Sequence, residues 1–284
     1  MQLGYHSITW GGVTGDAVGV TSVKDLYYRA NGSLLEAVGD IAAAGYSGVE
    51  VFDGNLVEFA DRPELLRRRL ADSGLQLASV YTGANFIYPD ALADEVWRIE
   101  RAADLAALFG AQRLAVGGGA RRADGTRDED YTMLGAALDR VVKIAEQRGL
   151  VAAYHPHLTT IVESPAQLDT IMARSQIALC PDTAHLAAGG GDPGEIIRKF
   201  PERIAHVHLK DYRRDPFAFL PLGQGELDFR DVLAALREIR YDGWVIVELD
   251  SYDGAPVEAA QLSRTYLNEL LSTIEPRGRA ACVR

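Results

Sequence analysis

The sequence predicts a single (β/α)8 barrel, that is, an α/β TIM barrel of eight parallel strands surrounded by helices. Short β-type apolar runs alternate with longer amphipathic runs about eight times along the chain. The strand runs are almost continuously apolar, as expected for a parallel sheet that is covered by helices. The length of 284 residues is typical of an eight-fold barrel and sufficient for a large buried core.

Each strand is predicted where a short apolar or β-branched run stands between turn signals. In chain order, the eight predicted strands are residues 3–8, 47–52, 76–81, 113–116, 150–154, 177–180, 204–209 and 244–249. The doubly wound open sheet is the alternative architecture. The first turn after a strand carries no Gly-x-Gly-x-x-Gly pattern, which disfavours a dinucleotide site and with it the open sheet.

The helices are predicted from apolar residues at helical spacing and from their end signals. Ser33 followed by Glu36 has the capping-box pattern, and Ser164 before Pro165 is typical of an N-cap followed by a proline in the first turn. The predicted helices are residues 33–45, 62–74, 97–109, 131–148, 164–172, 193–200, 229–239 and 257–274. With no linker between them, we expect one catalytic domain, residues 1–275, and a flexible C-terminal tail, residues 276–284.

Two connections are long for a compact domain, and they follow strands one and seven. They cover residues 10–31 and 213–228 and contain aromatic side chains, among them Tyr27, Tyr28, Phe217 and Phe219. Loops of this length usually serve as lids or binding loops, and the alternative is a surface excursion or a subunit contact.

The composition excludes several classes of function. A net charge of −11 argues against nucleic acid or an anionic membrane as the main partner, because both need a cationic face. Two cysteines are too few for a disulfide framework, and Cys180 is interpreted as a small core residue. No apolar run has the length of a membrane span, and no signal peptide is recognised at Met1. We therefore expect a cytoplasmic protein that acts on a small molecule.

The six histidines concentrate at predicted strand ends, with carboxylates beside them. In a barrel, the carboxyl ends of all strands meet on one face. The residues at these ends are His6, Glu50, Tyr81, His155, His157, Asp182, His185, His208, Asp211 and Glu248. Four of them follow or end strands five to eight in turn and form a candidate metal site: His155, Asp182, His208 and Glu248. Mixed nitrogen and oxygen ligands favour Mn, Fe, Co, Ni or Zn over Ca or a closed structural Zn site.

Other residues near the strand ends leave alternatives open. His206 is predicted to be a packed, hydrogen-bonded histidine, because it shares a strand face with His208 but lies deeper. Glu50 is either a site residue or an ion-paired carboxylate at the barrel mouth. Lys210 and Asp211 either contact substrate or pair with each other. Two weaker signals are Arg213 and Arg214, which could hold an anion, and the glycines 117–119, which could bind an anion or leave room for a bulky substrate.

Four motifs stand in order in the second half of the chain. They are Asp-Thr-Ala-His at 182–185, Ala-His-Val-His-Leu-Lys-Asp at 205–211, Pro-Leu-Gly-Gln-Gly-Glu-Leu-Asp-Phe at 221–229 and Tyr-Asp-Gly-Trp-Val-Ile-Val-Glu at 241–248. In this order they resemble the sugar phosphate isomerase/epimerase superfamily of xylose isomerase-like barrels, which act on sugars and inositols. The resemblance extends from residue 3 to about residue 274.

In that family a divalent metal, often Mn²⁺, is held by Glu, Asp, His and Glu from strands five to eight. The resemblance assigns the last three to Asp182, His208 and Glu248, whereas the first glutamate falls at His155. This departs from ketose epimerases, in which that glutamate and the strand-eight glutamate form an acid–base pair. The Tyr-His-Pro-His pattern at 154–157 is similar instead to inosose dehydratases, which have Tyr-His-His-His there and remove water from 2-keto-myo-inositol.

The resemblance thus implies a divalent-metal-dependent lyase that dehydrates an inosose-like substrate by α-proton abstraction. We expect Mn²⁺, with Co²⁺, Mg²⁺, Fe²⁺ or Zn²⁺ as alternatives, and a homo-oligomer. The predicted catalytic residues are His157, His155, Glu248 and His185, with His155 either a ligand or the base. The predicted substrate contacts are His6, Trp10, Glu50, Tyr81, Lys210 and Arg213.

Several other functions share the same first half-reaction or the same scaffold. Return of the proton would give epimerisation or isomerisation of a ketose, and a 3-keto-glycoside would lose its aglycone by elimination. A metal-dependent apurinic endonuclease shares the barrel, but the negative charge disfavours it. A metal-free sugar-binding protein is the non-enzymatic alternative.

Overall fold

The computed structural model describes residues 1–11 and 27–274, and the strands in these ranges form one curled parallel sheet and one hairpin. The parallel sheet contains eight strands, and the hairpin consists of β8 and β9. In chain order the strands are β1 Gln2–His6, β2 Gly48–Phe52, β3 Gln76–Ala84, β4 Arg113–Gly118, β5 Val151–Tyr154, β6 Ala178–Leu179, β7 Val207–Leu209, β8 Asp211–Arg213, β9 Ala218–Leu220 and β10 Trp244–Val247.

The sheet closes on itself, which confirms the predicted (β/α)8 barrel. Its strand order is β6-β5-β4-β3-β2-β1-β10-β7, and every neighbouring pair is parallel. The two edge strands are joined by parallel bridges between Leu179 and Ile204 and between Asp182 and His208. The bridge at Asp182 lies at the carboxyl end of the barrel and brings two predicted ligands together.

The helices connect the strands on the outside of the barrel. They are α1 Leu34–Ala43, α2 Asp53–Val57, α3 Pro63–Ser73, α4 Pro89–Leu108, α5 Asp128–Glu146, α6 Pro165–Arg174, α7 Thr183–Ala188, α8 Pro193–Lys199, α9 Phe229–Glu238 and α10 Pro256–Ile274. Both predicted caps are confirmed, since Ser33 accepts from the Glu36 N–H and Ser164 from the Gln167 N–H. Among the described residues, no helix has both the length and the apolar composition to cross a membrane.

Some predicted boundaries are wrong, and the structure gives the local reasons. The first strand ends at His6 rather than at residue 8, because His6 Nδ1 accepts from the Ile8 N–H at 2.9 Å and starts a 3-10 turn, Ser7–Thr9. The helix predicted from residue 97 starts at Pro89, a first-turn proline. The short helices α2 and α7 and the hairpin of β8 and β9, all after strand ends, were not predicted.

Parts of two further predictions lie outside the described residues. Residues 12–26 belong to the predicted loop after strand one, and residues 275–284 include the predicted tail 276–284. The predicted loop 213–228 is described, and it contains β9.

Most of the hydrophobic core lies between the sheet and the surrounding helices. Inside the barrel, the lower layer is filled by Trp244 with Ala78 and Ile246. A Cβ on Gly48 would collide with the Trp244 ring, so glycine is required there to admit the indole. The apolar lower layer leaves the polar residues of the barrel interior at the carboxyl end.

Two neighbouring positions on α4 test the outer core. Ile99 is fully buried, whereas Trp97 is 58% exposed. We expect Ile99→Ala to lower the free energy of unfolding by about 2–5 kcal/mol, because it leaves a cavity between helix and sheet. Trp97→Ala should change it by about 0.5 kcal/mol or less. Urea unfolding followed by circular dichroism checks both values, and equal losses would contradict this packing.

Candidate metal centre and active site

The four predicted ligands meet at the carboxyl end of the barrel. His155 and Asp182 follow β5 and β6, His208 lies in β7, and Glu248 follows β10. One ligand atom from each residue lies within 4.8 Å of the others, and all four side chains are buried. A divalent ion bound at about 2.0–2.4 Å from each ligand fits a group of this size.

The ligand atoms of this group have no hydrogen-bond partner among the described residues. They are both ring nitrogens of His155, Asp182 Oδ2, His208 Nδ1 and Glu248 Oε2. His208 Nδ1 is only 2.6 Å from Glu248 Oε2, but the angles of this contact do not fit a hydrogen bond. Buried polar atoms without partners are costly, and one cation would satisfy one such atom on each of the four residues. The residues therefore fit a divalent metal ion.

Asp182 has a divided role. Its Oδ1 accepts from the His185 N–H at 2.8 Å and caps α7, which leaves Oδ2 free. The same hydrogen bond fixes the direction of the carboxylate and starts the helix that carries His185.

Glu50 lies behind His208, within 3.5 Å of three imidazoles. Its carboxylate oxygens are 2.8 Å from His208 Nε2, 2.7 Å from His206 Nε2 and 3.5 Å from His6 Nε2. Ser79 also donates to it. Burial alone would raise the pKa of Glu50, but His208 and His206 hold it well below its usual range. The carboxylate orients His208 from behind and leaves Nδ1 toward Glu248, a common arrangement behind metal-bound histidine. The prediction of a packed, hydrogen-bonded His206 is confirmed.

Lys210 is fully buried and holds the other side of Glu248. Its ammonium donates to Glu248 Oε1 at 2.9 Å and to Asp250 Oδ1 at 2.6 Å. The alternative of a Lys210–Asp211 ion pair is wrong. Asp211 instead accepts backbone N–H groups of residues 223, 225 and 227 and thereby anchors the loop after β9.

Two histidines stand beside the ligand group, and each is assigned its proton on Nδ1 for a different reason. His157 Nδ1 lies 2.6 Å from the carbonyl oxygen of Leu158, which can only accept, so Nδ1 carries the proton and Nε2 is a free base. His185 Nε2 lies 3.5 Å from the Lys210 ammonium, so its proton is assigned to Nδ1, which has no partner in the described structure. The two rings are 3.7 Å apart. All six histidines are described, and His157 is the one that is partly exposed.

Aromatic rings border the ligand group on two sides. Tyr81 meets His155 edge-on with ring centroids 5.4 Å apart. On the other side, the Phe219 ring of β9 lies 4.4 Å below the Lys210 ammonium and 5.4 Å from His185. The predicted site residue Tyr81 thus lies at the site, and so does the hairpin after β7.

Two predicted substrate contacts have hydrogen-bond partners within the protein. The Trp10 indole donates to Asp40 Oδ2 at 2.8 Å and packs in the outer core. Arg213 donates to the carbonyl of Pro216 at 3.1 Å, within its own hairpin. A Cβ on Gly117 would collide with the Tyr81 hydroxyl. Gly117 therefore makes room for the Tyr81 side chain.

Sequence reasoning missed Asp53 and Asp250, two buried carboxylates at the same end of the barrel. Each follows a strand-end residue by one or two positions, Phe52 and Glu248 respectively. Extending the search by two residues beyond each predicted strand would have found both.

Comparisons with known proteins agree with this architecture. The family model described as a xylose isomerase-like TIM barrel matches residues 38–270. The inosose dehydratase of Geobacillus kaustophilus (strain HTA426) is 28% identical over 271 residues, which cover 83% of this chain and 87% of the relative. The inosose dehydratase of Clostridium beijerinckii is 28% identical over 268 residues, 82% of this chain and 88% of the relative.

Solved structures match at lower identity and show the fold alone. The probable 3-DHS dehydratase of Bacillus anthracis superposes with a TM-score of 0.76 and 13% identity over 94% of this chain and 99% of that structure. The 3-keto-D-glucoside 4-epimerase of E. coli gives a TM-score of 0.72 and 18% identity over 96% of this chain and 99% of that structure.

The buried histidines predict an acid-labile metal-free protein. Burial lowers the pKa of His6 to about 4 and that of His185 well below its usual value. Such groups stay neutral in the folded chain, while the unfolded chain takes up protons below about 6.5. The stabilisation from these two histidines is therefore complete above pH 6.5 and falls as the pH drops toward 4, by up to about 1.4 kcal/mol per pH unit for each histidine.

Urea unfolding of the chelator-treated protein between pH 7 and 5 measures this slope. In His6→Asn, the amide oxygen can still accept from the Ile8 N–H, but the titrating ring is gone, so the slope should decrease. His208, whose pKa is raised well above 6.5 in the folded chain, contributes a slope of opposite sign near pH 7, but it is present in both proteins and cancels from their difference. An equal slope in the variant and the parent protein would contradict the assignment.

Proposed function

The chain belongs to the xylose isomerase-like TIM barrel family, and from its site we propose that it is a divalent-metal-dependent lyase. Its proposed substrate is a keto-cyclitol of the inosose type, which loses water after abstraction of an α-proton. The inosose dehydratase relatives support this substrate class. Mn²⁺ is the proposed ion.

The proposed metal ligands are His155, Asp182, His208 and Glu248. When bound there, a divalent ion supplies Lewis-acid polarisation of the substrate carbonyl, which acidifies the neighbouring C–H bond. Lys210 and Glu50 hold Glu248 and His208 in place from outside the group.

The free Nε2 of His157 is the observation that carries the proposal. A base that works near neutral pH must be unprotonated and face the substrate, and His157 is a partly exposed imidazole with its proton on Nδ1. Burial lowers its pKa to about 4, so the ring is neutral at pH 7. His155 is assigned as a ligand rather than the base, because both its nitrogens are buried and one of them lies in the ligand group.

The proposed dehydration needs only one imidazole for both proton transfers. His157 Nε2 takes the α-proton, the electron pair of the C–H bond forms the C=C bond, and the C–O bond of the β-hydroxyl breaks. His157 then returns the proton to the leaving hydroxide, which departs as water. The His185 Nδ1–H is available to donate a hydrogen bond to a substrate hydroxyl.

Epimerisation needs two groups on opposite faces of the substrate carbon, and the arrangement favours it less. The position of the strand-five glutamate is taken by His155, and Glu248 is neutralised by Lys210 and held below its usual pKa. Burial would raise the pKa of Glu248, but Lys210 and His208 together outweigh it.

Incubation with 2-keto-myo-inositol, ketoses or 3-keto-glycosides and Mn²⁺ in D₂O tests the function. A dehydratase gives a product lighter by one water from the keto-inositol. A stereoisomer of the substrate that carries one deuterium would establish an epimerase instead, and release of an aglycone would establish elimination from a glycoside.

Two alanine variants in one segment separate the roles of ligand and base. We expect His157→Ala to keep its metal but to lose α-proton exchange by about 10²-fold or more, the usual contribution of a positioned base. His155→Ala should lose most of its bound metal, because one ligand is missing. Elemental analysis and deuterium uptake measure the two effects, and retained exchange in His157→Ala would exclude it as the base.

A further inference from the structure

Three consecutive residues after β2 bind the backbone of residues 28–30. Asp53 Oδ1 accepts from the Tyr28 N–H at 2.9 Å, and the Gly54 N–H donates to the Tyr28 carbonyl at 2.9 Å. The Asn55 side chain accepts from the Ala30 N–H at 3.0 Å and donates to the Ala30 carbonyl at 2.8 Å. A Cβ on Gly54 would collide with the Tyr28 carbonyl, so only glycine permits this approach. We call residues 53–55 the clamp.

Arg98 of α4 and Thr82 of β3 hold Asp53 of the clamp. Asp53 Oδ2 accepts from Arg98 at 2.9 Å and from the Thr82 hydroxyl at 2.7 Å, and Arg98 also donates to the carbonyl of Gly83. Asp53 is fully buried and Arg98 is 6% exposed. Burial raises the pKa of Asp53 to about 6 in spite of the guanidinium beside it. Buried ion pairs often stabilise a fold less than apolar residues would, so this pair is better explained by the geometry it imposes.

The clamp places the Tyr28 ring in contact with two other rings. Tyr28 stacks on Phe52 with centroids 5.7 Å apart and planes at 26°, and it meets Tyr81 edge-on at 5.1 Å. Tyr81 in turn lies 5.4 Å from the His155 ring. Phe52 and Tyr81 are buried, whereas Tyr28 is partly exposed. We call these three rings the aromatic wall. They form a row of contacts that extends from the barrel mouth to the ligand group.

An aromatic wall beside a polar centre suits a molecule with two different sides. A cyclitol ring presents C–H bonds on its faces and hydroxyl groups on its rim. Aromatic rings attract the C–H faces, while the metal ligands and histidines can take the oxygen atoms. An open-chain ketose has no rigid face of this kind.

We propose that Asp53 and Arg98 are positioning residues for Tyr28, and that the aromatic wall selects a cyclic ketone by packing on its ring face. The choice of ring substrate rests on the proposed function. The role of the clamp in holding Tyr28 is independent of it.

Limited trypsin digestion tests the clamp without any activity assay. Arg29 lies between the two clamped residues, and its exposed side chain is paired with Glu58. In Asp53→Asn, loss of the charged acceptor should increase the rate of cleavage after Arg29 by about tenfold, because local opening exposes the peptide bond. Mass spectrometry of the peptides measures this rate. Asp130→Asn is the matched control, since Asp130 is also buried and paired with an arginine, Arg122, but does not contact residues 28–30.

Steady-state kinetics with keto-inositol test the wall. Tyr28→Ala and Asp53→Asn should each raise KM about tenfold, the loss expected for one aromatic contact, with kcat and metal content within about twofold of the parent. Tyr28→Phe should restore the parent KM because it keeps the ring. Tyr28→Ala should leave Arg29 cleavage unchanged, and Asp130→Asn should change neither KM nor cleavage.

Each failure identifies a different error. Unchanged cleavage in Asp53→Asn would overturn the clamp, and an unchanged KM in Tyr28→Ala would overturn the wall. If Asp53→Asn does not fold, Arg98→Leu takes its place in both assays, with the same outcomes. Absence of any keto-inositol turnover by the parent protein would overturn the proposed function and the selection of a ring substrate with it, whereas the digestion would still decide on the clamp.

Discussion

An excess of buried negative charge at the carboxyl end of the barrel is the constraint on which the rest of the site depends. Asp182, Glu248 and Asp250 are buried at this end, and Lys210 is paired with the last two of them. Glu50 is a fourth buried carboxylate behind them. Carboxylates and imidazoles that face each other without hydrogen bonds repel or lose solvation unless a cation joins them. A divalent ion would turn this unfavourable group into a favourable one.

Every proposed ligand is oriented by a second contact, apart from His155. Asp182 caps α7, Glu248 is held by Lys210, and His208 is backed by Glu50. The His155 ring contacts the rings of Tyr81, His157, His185 and His208, and its Nε2 lies 3.6 Å from the ligand atom Asp182 Oδ2. Under the proposed function, His155 keeps the count of four ligands without a strand-five carboxylate, so the site carries less negative charge. His157, two residues further along the chain, would then take the proton.

The ligand group could be predicted from the sequence because it depends on two regular features. Parallel strands end on one face of a barrel, and His155, Asp182, His208 and Glu248 all stand at strand ends. The depth of His206 followed from the alternation of side chains along a strand. These rules require only the positions of the strands, which the apolar runs show.

Residues whose place depends on irregular backbone could not be predicted in this way. Trp10 points to Asp40 because the chain turns sharply after β1, and Lys210 pairs with Glu248 and Asp250 rather than with its neighbour in sequence. The clamp of residues 53–55 arises from a short helix that starts directly at the end of β2. Such contacts join segments far apart in sequence, and no periodic pattern announces them.

Metal titration of the chelator-treated protein tests the central claim most directly. Calorimetry with Mn²⁺ should give one ion per chain, and saturating ion should raise the thermal midpoint, because the ion binds only the folded state. Asp182→Asn should abolish this binding while α7 stays capped by the remaining oxygen. Failure of the parent protein to bind a divalent ion, or equal binding by Asp182→Asn, would contradict the account.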